Sequence, residues 1–169
     1  MEKRFATWLA VARIYLGVFW LAYGTSKFES NWAAPKGEFF QAAQYGASQI
    51  HGAMHDFIIG FVLPHQDVFA RLVAYGETLI GISLFLGLFK NAGAIGGMFL
   101  ALNYYFATGK YGSRLGVESL EALLFVFCLL ILALPSAQEL SIDALIWRYV
   151  PKGALGRWVR RDGRPEDRQ

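Results

Sequence analysis

Four stretches of the chain are apolar for long enough to cross a hydrocarbon core, which takes roughly 20 helical residues. They cover residues 5–23, 68–89, 92–107 and 117–134, with ends placed approximately. Pro135 ends the fourth stretch, and the short turn after residue 89 makes the second and third an antiparallel hairpin. The pattern predicts an all-α protein, an integral membrane four-helix antiparallel bundle.

A long loop, residues 28–67, connects the first two spans. From Glu38 to Phe61 its apolar residues recur at near-helical spacing, with glutamines and histidines between them. Because long connections inside a compact protein are usually functional or disordered, this pattern favours a structured element. We expect this outer segment to be an amphipathic helix that lies on the membrane surface or caps the bundle.

Composition agrees with a membrane protein and indicates a single domain over residues 1–169. The chain is 55% hydrophobic and 17% charged, which is too apolar for an ordinary soluble domain of this length. Basic residues flank the spans at Lys3, Arg4 and Lys90 and crowd the tail, 136–169. Four spans and the positive-inside tendency then predict a multi-pass protein of the cell membrane with both termini cytoplasmic. The membrane explains the basic charge, so nucleic acid is not an expected partner.

One face of the first span is polar and small. Arg13, Gly17, Trp20, Gly24 and Lys27 follow one another at intervals of four, three, four and three residues, which places them on one side of a helix. The other sides of this helix are apolar. We therefore expect the stripe to face neighbouring helices and not lipid.

Charges inside the spans need partners, because each costs a few kcal/mol in the membrane even on lenient scales. Arg13 and Glu77 are expected at depths about one helical turn apart, so they predict an ion pair. This pair either holds two helices in register or forms the floor of a binding cavity, and both interpretations stay open. Lys27 is a candidate counter-charge for Glu121, the alternative being that it extends to the lipid headgroups.

These polar positions describe a pocket with aromatic walls that opens outward beneath the amphipathic segment. A quinone head suits it, since carbonyl oxygens need donors and the ring needs flat apolar faces. In this hypothesis quinone is a bound acceptor, and catalysis falls to Glu121 and Glu77. The candidate binding residues are Arg13, Trp20, Lys27, Asn103 and Tyr104.

No metal is expected. His51 and His55 have the i, i+4 spacing that can ligate a metal, but no definite third ligand accompanies them, so their role is left open. Cys128 is the single cysteine and lies in an apolar run, which excludes a disulfide framework. The chain shows no phosphate-binding loop, no CxxC pair and no Ser-His-Asp set. Electrons would therefore pass directly between a bound quinone and a substrate or partner.

Three motifs follow one another along the chain: Arg13-x3-Gly17-x2-Trp20-x3-Gly24-x2-Lys27-Phe28, Gly76-Glu77-x3-Gly81-x5-Gly87-Leu88-Phe89, and Leu140-Ser141-Ile142-Asp143. In this order they resemble the motifs of the DoxX/DoxD family of small four-helix membrane proteins, and the likeness covers most of the chain. The long outer loop with its Gly60-Phe61-Val62-Leu63-Pro64 run is closer to the DoxD branch.

The resemblance implies a quinone-reactive subunit of a membrane oxidoreductase, of the thiosulfate:quinone type, acting with a second subunit. The alternative is a non-enzymatic membrane scaffold or partner subunit, in which the buried charges only fix helix packing. A small-solute transporter ranks third, because four spans without an internal repeat suit alternating access poorly. The expected partners are the lipid bilayer and a second oxidoreductase subunit, and association into a homo-oligomer is left open.

Overall fold

The computed structural model describes residues 2–108, 119–134 and 140–142, with side chains from residue 6 onward. Within these residues all regular structure is helical, which confirms the all-α class. A π-helical turn, Ile58–Val62, continues the short third helix. The α-helices are α1 (Glu2–Glu29), α2 (Glu38–Ser48), α3 (Ala53–Phe57), α4 (Gln66–Leu86), α5 (Lys90–Ala107) and α6 (Leu120–Ala133).

Helices α1, α4, α5 and α6 overlap the four predicted spans. α1 continues to Glu29, beyond the predicted end at residue 23. Within this extension the hydroxyls of Thr25 and Ser26 donate back to the carbonyl oxygens of Leu21 and Tyr23, so these polar side chains are hydrogen-bonded along the helix. The predicted start of the fourth span at 117, and most of the predicted basic tail, 136–169, lie outside the described residues.

The outer segment consists of two helices, and the prediction of one helix over residues 38–61 is wrong. α2 ends at Ser48, and the chain turns through Gly52, whose φ of +80° interrupts the helical path before α3. Ala47, Ile50 and Ile58 pack into a small core of their own. α2 also contacts α5, where Gly46 lies against the carbonyl oxygen of Ala107, so the segment caps that end of the helices.

α1 and α4 approach each other backbone to backbone. A Cβ at Gly17 would lie 2.6 Å from Phe85 Cα, and one at Gly24 would lie 2.6 Å from Thr78 N. Small residues permit such an approach in membrane helices, where close packing replaces the hydrophobic driving force. The prediction that the glycine stripe of α1 faces protein is confirmed.

Much of the outer surface of these helices is apolar. Trp8, Tyr15, Leu79 and Phe99 are all more than 60% exposed. α1 from residue 6 and α4 are long and apolar enough to cross a membrane. Exposed aromatic and aliphatic side chains along such helices are what a lipid environment accommodates, and they indicate a membrane protein.

Candidate functional site

A buried ion pair joins α1 to α4. Lys27 Nζ donates to Glu77 Oε2, and the two side chains are only 10% and 2% exposed. Gly24 lies one turn before Lys27 and packs against the backbone of Thr78, the residue after Glu77. The close helix contact therefore brings the ammonium and the carboxylate to the same level.

Tyr104 on α5 completes the group. Its hydroxyl donates to Glu77 Oε1 at 2.5 Å, so each oxygen of the carboxylate accepts a hydrogen bond. Charge-assisted bonds of this kind are shorter and stronger than neutral ones. The three side chains, here called the Lys27–Glu77–Tyr104 cluster, tie α1, α4 and α5 together.

Aromatic rings cover the ammonium of this cluster. The centroid of the Trp32 ring lies 4.6 Å from Lys27 Nζ, and that of Tyr23 lies 5.9 Å away, so both rings contribute cation–π attraction. Trp32 Nε1 donates to the carbonyl oxygen of Ala70 at 2.9 Å, and its ring meets Phe39 edge-on. Trp32 was not among the predicted site residues, because a residue in an irregular connection carries no periodic signal.

Arg13 lies in a different part of the molecule from Glu77. Its guanidinium is fully buried and donates to the carbonyl oxygens of Leu84 at 2.7 Å and Leu140 at 2.9 Å. Leu84 follows Glu77 by seven residues, about 10 Å along the helix. The predicted Arg13–Glu77 pair is therefore wrong, and so is Lys27 as the counter-charge of Glu121. The contacts of Gly17 and Gly24 with α4 set a register that places Lys27 beside Glu77 instead.

Lys90, predicted to lie in a turn, is a buried cation like Arg13. It is 2% exposed, and its Nζ lies 3.5 Å from the carbonyl oxygen of Ile131. The turn before it passes through Gly87, whose φ is +64°, and a Cβ there would lie 2.9 Å from Arg13 Cζ. The buried ends of Arg13 and Lys90 thus belong to the region where α4 turns into α5, away from the Lys27–Glu77–Tyr104 cluster.

Trp20 separates these two polar regions. It is 1% exposed and belongs to the same apolar core as Leu84 and Cys128. A Cβ at Gly97 would lie 2.7 Å from Cys128 Sγ and 3.6 Å from Trp20 Nε1, so the thiol and the indole meet over this glycine. Trp20 is therefore a core side chain, and the single chamber expected from sequence is divided by it.

Asn103 and Glu121 have different relations to the cluster. Asn103 Nδ2 donates to the carbonyl oxygen of Phe99 on its own helix at 2.7 Å, so its amide is directed back along α5. Glu121 lies in the first turn of α6. Gly97 of α5 lies against Cys128 of α6. The two helices are antiparallel and rise equally per residue, so Tyr104, seven residues after Gly97, lies opposite the residue seven positions before Cys128. Glu121 is therefore level with Tyr104.

The histidines of the outer segment do not share a helical face. His51 precedes α3 and is exposed, whereas His55 lies within α3 and contacts Asp56 Oδ1 through Nδ1 at 3.0 Å. Nδ1 of His65 lies 2.9 Å from the carbonyl oxygen of Phe61. Among the described residues no three histidine, cysteine, aspartate or glutamate side chains are grouped as metal ligands.

A shallow groove of about 470 Å³ lies on the exposed face of α4. It shares no residue with the Lys27–Glu77–Tyr104 cluster, whose carboxylate points to the other side of the helix. The lining residues are Asp67, Val68, Arg71, Leu72, Tyr75, Gly76 and Leu79.

Comparison with known proteins gives a family match. The model of the DoxX family matches residues 8–109, which run from α1 through α5 and include all three members of the Lys27–Glu77–Tyr104 cluster. No curated protein matches the chain at a significant level, and no solved structure does.

Proposed function

This chain belongs to the DoxX family, and on that premise we propose that it is the quinone-reactive subunit of a membrane oxidoreductase. In this proposal α1, α4, α5 and α6 all cross the cell membrane as an antiparallel bundle, with both termini in the cytoplasm. The outer segment then covers the end of the bundle that holds the Lys27–Glu77–Tyr104 cluster.

The observation that carries the proposal is this buried cluster, which combines two proton donors with one carboxylate. Lys27 has N–H donors besides the one directed at Glu77, and Tyr104 can turn its single O–H from Glu77 to a carbonyl oxygen. A quinone needs such donors at its oxygens, and on reduction it needs protons there. The donor set therefore fits a quinone head better than a metal or a phosphate.

The chemistry is two-electron reduction, in which a bound quinone takes up two electrons and two protons and becomes the quinol. With thiosulfate as the donor, two thiosulfate anions lose one electron each and join as tetrathionate. The cluster's part is to bind the quinone oxygens and pass protons, with Tyr104 and Glu77 at the reacting end. Glu121, level with Tyr104, is the second carboxylate of the proton path. Arg13, Trp20 and Asn103 are assigned no role at the quinone, since their contacts lie elsewhere.

The test is to purify the protein in detergent, extract its lipids and compare its quinone content with that of the membrane. A second measurement follows reduction of a short-chain quinone with thiosulfate, with and without any subunit that copurifies. Tyr104→Phe should lower quinone retention or turnover, whereas Tyr105→Phe, its neighbour on α5, should not. No enrichment of quinone and no turnover in either preparation would contradict the proposal.

A scaffold function is the second candidate, and one observation favours it. Both oxygens of Glu77 are satisfied within the fold, and Arg13 donates to backbone carbonyls, as expected if buried charges only fix packing. In that case a partner protein should remain bound through purification, and a double replacement that removes the Lys27–Glu77 charges without unfolding the protein should leave its function unchanged.

A further inference from the structure

We infer that Trp32 is a movable cover over Lys27, and that a ligand with an acceptor oxygen reaches the ammonium by displacing this indole. The inference deepens the proposed function, on which the identity of the ligand rests. The cover itself is a property of the fold and is testable without any ligand.

Lys27 is shielded where its neighbours are not. Ser26 and Phe28, before and after it in α1, are exposed, whereas the Lys27 side chain is 10% exposed. One side of its ammonium donates to Glu77, and the Trp32 ring lies over it at 4.6 Å. An ammonium has three N–H donors, so displacing the ring would free donor capacity for an incoming oxygen.

The connection that carries Trp32 is folded on itself. Its backbone hydrogen bonds run from Ala34 N and Glu38 N to Asn31 O, from Gly37 N to Ala34 O, and from Phe39 N to Trp32 O. Glu38 and Phe39 belong to the first turn of α2, so these bonds join the connection to the start of that helix. Displacement of the indole is therefore a rotation of the Trp32 side chain, which leaves these backbone bonds intact.

Side-chain contacts fasten Trp32 to the rest of the molecule. They are the hydrogen bond from its indole to Ala70 O, the edge contact with Phe39 and the cation–π contact with Lys27. Each contact is individually weak, so the three together hold the ring in place but can be exchanged for contacts with a ligand. Glu77 and Tyr104, by contrast, are fixed by the packing of long helices. Trp32 is thus the part of the site that can open.

The chemical class of the ligand follows from the group that Trp32 covers, the ammonium of Lys27. The shielded group is a cation with donors and no acceptor, beside a tyrosine hydroxyl and a carboxylate that is already satisfied. A ligand that replaces the ring must bring an acceptor oxygen, as a quinone carbonyl does. Once displaced, Trp32 presents a flat face against which an aromatic or quinonoid ring can lie.

The test measures the reaction of lysines with a small amine-acylating reagent on the purified, detergent-solubilised full chain, followed by peptide mass spectrometry. Lys36 lies in the same connection, is exposed and serves as the internal reference. The variants are Trp32→Ala and Trp32→Phe, and the matched control is Trp8→Ala, which removes an exposed tryptophan of α1.

Trp32→Ala should raise the acylation rate of Lys27 relative to Lys36 about tenfold, because it removes both the ring and its hydrogen bond. Trp32→Phe keeps an aromatic face but loses the bond to Ala70 O, so it should give a smaller rise. Trp8→Ala should leave the ratio unchanged, and circular dichroism checks that each variant is folded at the temperature of the reaction.

An unchanged Lys27 ratio in folded Trp32→Ala would overturn the inference. The association rate of a short-chain quinone is the second readout, and a faster rate in Trp32→Ala supports displacement of the indole as the entry step. A raised Lys27 ratio with no quinone binding in any variant would confirm the cover and overturn the quinone assignment instead. The two proposals therefore fail by different results.

Discussion

Lys27 donates to Glu77 at a level where α1 and α4 touch through Gly24, so opposite charges meet inside a tightly packed helix pair. An isolated charge at this depth is costly in a bilayer, and pairing is how membrane proteins usually tolerate it. Tyr104 satisfies the other carboxylate oxygen and Trp32 covers the ammonium, so the whole group is compensated by protein. The expected effect of replacing Lys27, Glu77 or Tyr104 on stability follows from this arrangement.

Removing one member of the ion pair should be more harmful than removing both. Lys27→Met leaves the Glu77 carboxylate buried without its cation, and Glu77→Leu leaves the ammonium, so each should lower the free energy of unfolding by about 3–5 kcal/mol. The double variant should recover most of this loss, because two apolar side chains of similar volume replace the pair. Unfolding in detergent followed by circular dichroism measures all three variants.

The same double variant separates the two candidate functions. If it is folded but no longer retains quinone, the charges serve binding. If it is folded and performs like the wild type, they serve packing alone. Single variants as stable as the wild type would contradict the ion pair as a structural element.

The hydrogen bond from Tyr104 is the second feature open to direct test. Tyr104→Phe removes a donor to a buried carboxylate and should destabilise the protein by about 1.5–3 kcal/mol. Tyr105→Phe is the matched control, since the Tyr105 ring contacts Phe106 and is not part of the cluster. Thermal unfolding in detergent gives the comparison. Equal effects of the two replacements would contradict the assignment of the Glu77 bond to Tyr104.

The helices were predictable from sequence because apolar length and a glycine stripe are local signals. α4 and α5 follow the predicted bounds closely, and the stripe from Arg13 to Lys27 faces protein as expected. The partners of the charged residues were not predictable in the same way. They depend on how far one helix slides past another, and that register is set by contacts such as Gly17 with Phe85, which no single-helix pattern reveals.

The candidate site was recovered in part for the same reason. Lys27, Glu77 and Tyr104 were all named from their polarity inside apolar spans, and the structure brings them together. Arg13 was grouped with them because depths counted along two separate spans placed it about one helical turn from Glu77. In the structure Arg13 lies beside Leu84 instead, seven residues after Glu77 on α4.

Because α1 and α4 touch at particular glycines, the loss of stability on replacing a glycine by a larger residue should depend strongly on its position. Gly24→Val would place atoms within 3.0 Å of the Thr78 backbone, so the helices must separate, and we expect a loss of at least about 1–3 kcal/mol. Gly60→Ala is the control, because a Cβ at that position meets nothing within 4 Å. The yield of monodisperse protein and its melting temperature report the difference. A Gly24→Val variant as stable as Gly60→Ala would rule out the close helix approach.

Arg13 should be needed for the stability of the fold and not for the reactivity of Lys27 in the Lys27–Glu77–Tyr104 cluster. Its planar guanidinium donates to two carbonyls on different segments, Leu84 O and Leu140 O, which a lysine ammonium cannot match with the same geometry. Arg13→Lys should cost about 1.5–3 kcal/mol of stability. The acylation ratio of Lys27 to Lys36 should stay at its wild-type value, since Trp20 and its core neighbours lie between the two regions. A changed ratio in folded Arg13→Lys would show that the two regions are coupled.

The membrane orientation is testable through the single native cysteine. Cys128 is fully buried, so wild-type protein in intact cells should resist a membrane-impermeant maleimide. Ser48→Cys places a thiol on the exposed surface of α2, which the predicted orientation puts outside, and it should react in intact cells. Arg160→Cys, in the basic tail, should react only after the cells are opened, because positive segments are retained in the cytoplasm. Reaction of Arg160→Cys in intact cells, with Ser48→Cys protected, would reverse the orientation and place Trp32 on the cytoplasmic side.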